Sequence, residues 1–368
     1  MIQNFIPLAS PDINEDDIAQ VVKVLRSGML VQGENVLALE NQFAGFHDTN
    51  YASALSNGTA TLHLALLALG VGAGDEVILP ALSYIATANV IEIVGATCVF
   101  VDVDVHTFTI DTSKIEDAIT SKTKAIIPVH EFGLAANMED IMAIATKHNI
   151  AVVEDSACAL GATQNNKPVG TFGSFGSFSL HPRKSITSGE GGILITNDET
   201  LAKKINILRN HGISMENGKM NFVEAGFNYR MTDFQAALAN NQMKRIVKTL
   251  AYKQELADVY FEELNNPNIQ LPFVPLDRNH TWQTYHILIN DDMQQDEVIA
   301  SLRAKNLGVN YGAQCIPSQT YYQKKYKLDS KTNFPNADRA FNKGIALPLY
   351  EKLDKQTIKQ IAKIVNTL

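Results

Sequence analysis

The chain has 368 residues, of which 45% are hydrophobic and 19% charged. That is enough apolar side chain for one large or two ordinary domains, and it excludes intrinsic disorder. The formal net charge of -8 is opposite in sign to that of a protein that binds nucleic acid by neutralising phosphates, although it is compatible with a small anion held at a local site.

Taken in order, the first helix signal is Ile18, Val21, Val22 and Leu25, with Asn14 as the N-cap and Gly28 as the stop. This helix lies ahead of any strand and packs on either domain. Leu62, Ala65, Leu66 and Leu69 repeat the spacing and end at Gly70. Apolar runs at 76–80, 98–103, 124–129, 150–155, 174–180 and 192–196 read as strands, several of them covered on both faces. A helix is expected behind Asn137, running to His148. Thr232-Asp233-Phe234-Gln235 has the form of a capping box opening another. A last helix from Lys355 places Ile358, Ile361, Ala362 and Val365 on one face. Strands alternating with helices imply an α/β domain with a mostly parallel sheet. The alternation fades near residue 245, and Pro267, Pro272 and Pro275 mark an irregular connection. The expectation is a large domain over 1–245 and a smaller α+β domain over 246–368.

No run reaches the ~18 apolar residues of a membrane span. Residues 1–16 lack the basic-then-apolar order of a leader. Cys98, Cys158 and Cys315 are few, odd in number and far apart, which suits a reducing compartment. The expectation is a soluble cytoplasmic protein that binds neither membrane nor nucleic acid.

Several motif fragments carry no chemistry. Gly170, Gly173 and Gly176 are spaced by threes and do not form G-x-G-x-x-G. His130-Glu131 begins like a zinc-protease motif, but Leu134 stands where the second histidine belongs, and no His/Cys cluster has metal-ligand spacing, so no metal is expected. Asp102 and Asp104 read as a strand leaving its sheet through an acidic turn.

Three segments make chemical sense together. Ser56-Asn57-Gly58-Thr59-Ala60-Thr61 stands before the Leu62 helix. Small residues, free N–H groups and a hydroxyl at a helix start form a phosphate cup, though an ordinary N-cap reads similarly. Glu154-Asp155 ends an apolar strand, the place where ligands sit in open α/β sheets. Lys184 follows Phe178-Ser179-Leu180-His181-Pro182-Arg183 and enters a Ser/Gly loop. A cup, a strand-end Asp and a loop Lys are the parts needed for pyridoxal 5'-phosphate, with Tyr84 available to stack on its ring.

The same stretches, with Ser27-Gly28, Leu79-Pro80, Ala86-Thr87-Ala88, Phe100 to Asp104, Pro128-Val129-His130, Leu208 to Gly212 and Gly226 to Asp233, carry a resemblance in this order over nearly the whole chain. The sequence resembles the DegT/StrS family of pyridoxal-phosphate sugar aminotransferases, within the fold-type-I aspartate aminotransferase superfamily. The resemblance implies an α/β fold with a smaller C-terminal domain. It also implies Lys184 as Schiff-base lysine, Asp155 as partner of the pyridine nitrogen, and Gly58, Thr59 and Ser179 as phosphate ligands. Tyr84 would stack on the ring. Asn228 would reach the phosphate of a neighbouring subunit, which implies a homodimer with shared sites. Arg230 matches a family position without a chosen role, and His181 and Arg183 are candidate substrate contacts beside a purely structural reading.

The implied reaction is a ping-pong transfer from glutamate to a ketosugar, a nucleotide-linked 4-keto-6-deoxyhexose in the leading reading, within polysaccharide or aminosugar biosynthesis. Alternatives are a ketosugar without a nucleotide, a pyridoxamine-phosphate sugar 3-dehydratase, and a non-catalytic cofactor-binding regulator. Lys184 argues against the dehydratase, in which histidine takes its place. The sequence departs from the family at Glu131-Phe132, at Cys158, and around Gln314 to Ser318, where a histidine is missing.

Overall fold

A computed structural model of the chain describes residues 4–368. Residues 1–3, the start of the stretch read for a leader, lie outside the described residues. Seven strands form the main sheet: β1 (Tyr51–Leu55), β2 (Glu76–Pro80), β3 (Thr97–Val101), β4 (Thr123–Ile126), β5 (Ala151–Asp155), β6 (Phe175–Ser179) and β7 (Gly192–Thr196). Their order across the sheet is β1-β7-β6-β5-β4-β2-β3. Strand β7 is antiparallel to both β1 and β6, and the remaining pairs are parallel. Six strands therefore share one direction. Their carboxyl ends, including that of β1, open on the same edge.

The helix starts read at Asn14, behind Asn137, at Thr232 and at Lys355 hold. Helix α1 (Glu15–Ser27) is capped by Asn14, whose side chain accepts from the Asp17 N–H at 2.9 Å, while Asp17 accepts from the Asn14 N–H at 2.9 Å. Gly28 ends it with φ 75, a conformation that needs no Cβ. Helix α1 packs against the helix Asp233–Met243, and Asp17 pairs with Arg245 at 2.7 Å. Among the elements with no counterpart in the sequence reading are β1 and helix α2 (Glu34–His47). Helix α2 has Gly33 at its N-cap and no side-chain cap of its own. The cap comes instead from Asp233, whose Oδ1 accepts from the N–H groups of Gly33, Asn35 and Val36, each at 3.0 Å.

The residues after 245 build a second, smaller sheet, antiparallel, from Ile269–Gln270, Tyr285–Ile289 and Gly344–Leu347. Its core gathers Leu256 and Tyr260, Ile287 and Ile289, and Ile358, Ile361 and Val365 of the last helix, together with Ile6 from the N-terminal arm. The helix Ile246–Glu263 joins the two cores, with Ile246 packed below the main sheet and Leu256 in the smaller core. The acidic segment at 102–104 is structural. Asp104 closes a turn by accepting from the N–H groups of His106 and Thr107, and Asp102 accepts from Asn336 and Ala337 at the start of the helix Pro335–Lys343.

Candidate active site

Helix α3 (Gly58–Ala68) follows β1 and is buried on every side from Ala60 to Leu66, as a helix apolar all round must be. It begins at Gly58, earlier than the Leu62 start read from the sequence, so the small residues of the cup are its first turn. Asn57 caps it, accepting from the Ala60 N–H at 2.8 Å. The N–H groups of Gly58 and Thr59 have no intrahelical acceptor, and they sit at the positive end of the helix dipole. Only glycine fits at Gly58, because a Cβ there would lie 2.9 Å from the Ser179 Cβ. Helix start and β6 end thus meet as two walls of one concave site.

That site is a cavity of about 620 Å³ at the carboxyl ends of the strands. Gly58, Thr59, Tyr84, Asp155, Ser179 and Lys184 all line it. So do His181 and Arg183, from the turn in which the Lys184 N–H donates to the His181 carbonyl at 2.8 Å. Burial lowers the pKa of His181, which favours its neutral ring. Tyr84 is 62% exposed at the rim and makes no ring contact among the described residues. Arg230 and Asn228 are elsewhere. Arg230 donates to Asn210 Oδ1 at 2.6 Å and its backbone bridges to Leu55, whereas Asn228 is exposed and bridges to Asn210.

The two carboxylates at the end of β5 separate by the alternation of a strand. Glu154 turns away from the cavity and is fully used, accepting from Gly170, Phe172 and Gly173 N–H groups at 2.6, 2.7 and 2.9 Å and meeting His130 Nε2 at 3.1 Å. Asp155 faces the cavity at 5% exposure. Its Oδ2 accepts from Thr87 Oγ1 at 2.8 Å and its Oδ1 from the Ala157 N–H at 3.2 Å. Burial pushes its pKa up, offset in part by these bonds and by Lys184. A carboxyl group held this way calls for a cation opposite it. Lys184 Nζ reaches Cys158 Sγ at 3.0 Å, and burial pushes the Cys158 thiol up despite the nearby ammonium.

These residues fit pyridoxal phosphate. The helix start and Ser179 offer donors that suit a phosphate, Asp155 offers a buried carboxyl group that suits a cation, and Lys184 offers an amine. The family model for DegT/DnrJ/EryC1/StrS aminotransferases matches residues 11–366. The chain belongs to that family. It is 35% identical to the spore coat polysaccharide biosynthesis protein SpsC of Bacillus subtilis, over 99% of this chain and 97% of that protein. Among solved structures, the pyridoxal-phosphate form of Spr1654 from Streptococcus pneumoniae superposes with a TM-score of 0.93 at 31% identity, covering 99% of this chain and 98% of that one. PseC from Helicobacter pylori, an aminotransferase involved in pseudoaminic acid biosynthesis, gives 0.94 at 26% identity, covering 99% of each chain. The protein is a pyridoxal-phosphate-dependent aminotransferase with the α/β fold of its family.

Sequence reasoning passed over several residues of the cavity wall. Thr87 holds Asp155 from the segment after β2, and Gln283 and Thr284 arrive from the segment leading into the smaller sheet. Glu131 was noted as part of a rejected zinc-motif fragment and as a departure from the family pattern, yet it lines the cavity too. The sole signal for it was an acidic residue in the loop that follows β4.

Proposed function

We propose that this enzyme moves an amino group from glutamate to a ketosugar, a nucleotide-linked 4-keto-6-deoxyhexose, in a ping-pong cycle. The observation that carries this is the convergence of Lys184, Asp155 and the α3 start in one open cavity, whose volume of about 620 Å³ lies in the ~300–1,000 Å³ range of small-molecule and cofactor sites. The likeness to PseC and to SpsC, both named for carbohydrate biosynthesis, supports a sugar acceptor.

In this reading Gly58, Thr59 and Ser179 hold the phosphate, Tyr84 covers one face of the ring, and Asp155 keeps the ring nitrogen protonated. Bound pyridoxal phosphate supplies an electron sink and carries the amino group between substrates. The residues do the rest. Lys184 Nζ would take the proton from the donor α-carbon and pass it to the cofactor, and in the second half it would carry that proton to the sugar carbon that receives the amino group. Thr87 and the Ala157 N–H fix the Asp155 carboxylate so that its charge is in place before substrate arrives. His181 and Arg183, at the mouth, meet the sugar and its anionic substituent.

The sites are shared in a homodimer, with Asn228 reaching the phosphate held by the neighbouring subunit and Arg230 bracing that segment through Asn210. The exposed apolar side chains Met215, Met220 and Phe222 on the hairpin 213–222 support such a contact. Residues 1–245 form the cofactor domain and 246–368 the smaller one, and the enzyme works in the cytoplasm. The test is a panel of nucleotide-linked and free ketosugars offered to the glutamate-treated enzyme and read by mass. Amination of a nucleotide-linked 4-keto-6-deoxyhexose is expected. Amination of no ketosugar defeats the reading.

A further inference from the structure

Glu131 stands where the chain leaves the carboxyl side of β4, directly after His130. His130 is fully committed to structure, its Nδ1 accepting from the Ala136 N–H at 3.0 Å and its Nε2 meeting Glu154. Glu131 is not. Its side chain is 5% exposed, lines the cavity, and receives only a long bond of 3.4 Å at Oε1 from the N–H of Phe132. Oε2 has no partner among the described residues. A buried carboxyl group left in this state is costly unless a ligand meets it.

The backbone is bent to place it there. Phe132 has φ 57 and ψ 0, and Gly133 has φ 106. A bulky residue in the left-handed region stores strain and persists only where its surroundings over-determine it. Here they do. The Phe132 ring stacks on His286 with centroids 4.2 Å apart. The Phe132 carbonyl accepts from the Thr284 N–H at 3.1 Å, and the Gly133 carbonyl from the Thr281 N–H at 2.9 Å. A Cβ at Gly133 would lie 2.6 Å from Thr281 Oγ1. The smaller sheet's segment thus clamps the bend that turns Glu131 inward.

The groups facing Glu131 come from two segments. Asp155 ends β5, Cys158 follows it, and Lys184 lies beyond β6. Burial, then the charge of Asp155, pushes the Glu131 pKa up to about 7, with Lys184 pulling the other way. His286, behind Phe132, is lowered by burial to about 3 and stays neutral. Glu131 is therefore present in both protonation states near neutral pH.

Amino transfer has a use for such a group. At the acceptor carbonyl, a C–N bond forms and the C–O bond breaks. The oxygen leaves as water after gaining two protons, and the incoming nitrogen gives up two. Lys184 is already occupied with the carbon-bound proton. We propose that Glu131 is a second acid–base residue of this site, acting twice in the step, each time giving one proton to the departing oxygen and taking one back from the nitrogen. It ends the step as it began. In the donor half the same exchange runs in reverse, with the carboxylate taking a proton from the entering water and returning one to nitrogen. The acceptor side of this inference rests on the ketosugar reading above, and the donor side does not.

Glu131→Gln keeps the shape and removes the titrating proton. In cofactor-free wild-type protein, infrared difference spectra should show a protonated carboxyl band that titrates near pH 7 and is absent from E131Q. Loaded with pyridoxal phosphate, E131Q should react with glutamate at least ~100-fold more slowly in a single turnover. Its apparent glutamate affinity should be unchanged, and the pH dependence near neutrality should be lost. Glu131→Asp should restore the pH dependence and part of the rate. The proposal is overturned if E131Q reacts at the wild-type rate with the wild-type pH profile, or if its loss merely tracks lost cofactor or a lower melting temperature while the profile is unmoved. If wild-type enzyme reacts with glutamate but aminates no ketosugar, the acceptor reading fails, and the donor half still decides the role of Glu131.

Discussion

Replacing Glu131 with glutamine will change how the stability of the cofactor-free protein depends on pH. The carboxyl group titrates at its ordinary value of 4.5 in the unfolded chain and at about 7 in the folded one. As pH rises through the first value the unfolded chain releases its proton, while the folded chain keeps it until the second. Folding therefore binds an extra proton between the two, and stability falls with rising pH across that window, then levels off. At about 1.36 kcal/mol per pKa unit, the loss attributable to this residue is about 3 kcal/mol. With an unfolding entropy of about 2.1 cal/mol/K per residue, that corresponds to roughly 4 °C in melting temperature for a chain of this length. The glutamine amide is neutral throughout, so E131Q should match wild type near the acid end and exceed it by about this margin above neutrality. Asp155 also titrates in the buried cluster. It is common to both proteins, so the difference isolates position 131 and its coupling to Asp155. Melting curves of the two proteins between about pH 5 and about pH 8 make the measurement. Parallel curves would refute the claim that Glu131 is buried without a compensating partner.

Gly58→Ala forces a Cβ to within 2.9 Å of the Ser179 Cβ. An overpacking cost of about 1–3 kcal/mol should appear as a roughly ten- to hundredfold weaker affinity for pyridoxal phosphate in an absorbance titration, with the fold retained. Thr87→Val removes the 2.8 Å bond to Asp155 Oδ2. Losing a hydrogen bond to a charged group, about 1.5–3 kcal/mol, should lower the cofactor affinity by a similar factor, and an unchanged affinity would mean that Asp155 does not face the ring. Mixing the Lys184→Ala and Asn228→Ala proteins, each weak alone, should restore activity in hybrid dimers, because one site of each hybrid then holds both residues. No recovery after confirmed subunit exchange would mean that Asn228 does not serve its neighbour.

The parts legible in the sequence are those whose physics is local. Asn14 announces helix α1 because the N–H it caps, that of Asp17, sits within one turn of it, and Gly28 ends it because its φ of 75 needs no Cβ. The apolar strand runs announce the sheet because both faces of its central strands are covered. Helix α2 was silent because its start is capped by Asp233, some 200 residues away. Strand β1, Tyr-Ala-Ser-Ala-Leu, is an edge strand with no β-branched residue to mark it. The site divides the same way. Asp155 stands at a strand end and Lys184 in the loop just past one, both displayed by the sequence, but Thr87, Gln283 and Glu131 reach the cavity through tertiary contacts. The inward turn of Glu131 depends on a backbone bend held by Thr281, Thr284 and His286, residues about 150 positions further along.

The central claim is that Lys184 is the amine through which this protein binds pyridoxal phosphate and moves a proton. The most direct measurement is the absorption spectrum of the loaded protein before and after glutamate, for wild type and Lys184→Ala. The account predicts that wild type shows the band of covalently held cofactor and that glutamate converts it to the pyridoxamine form. The Lys184→Ala protein should lack that band and fail to convert. A wild-type protein whose spectrum glutamate leaves unchanged, or a Lys184→Ala variant that converts at the wild-type rate, would contradict it.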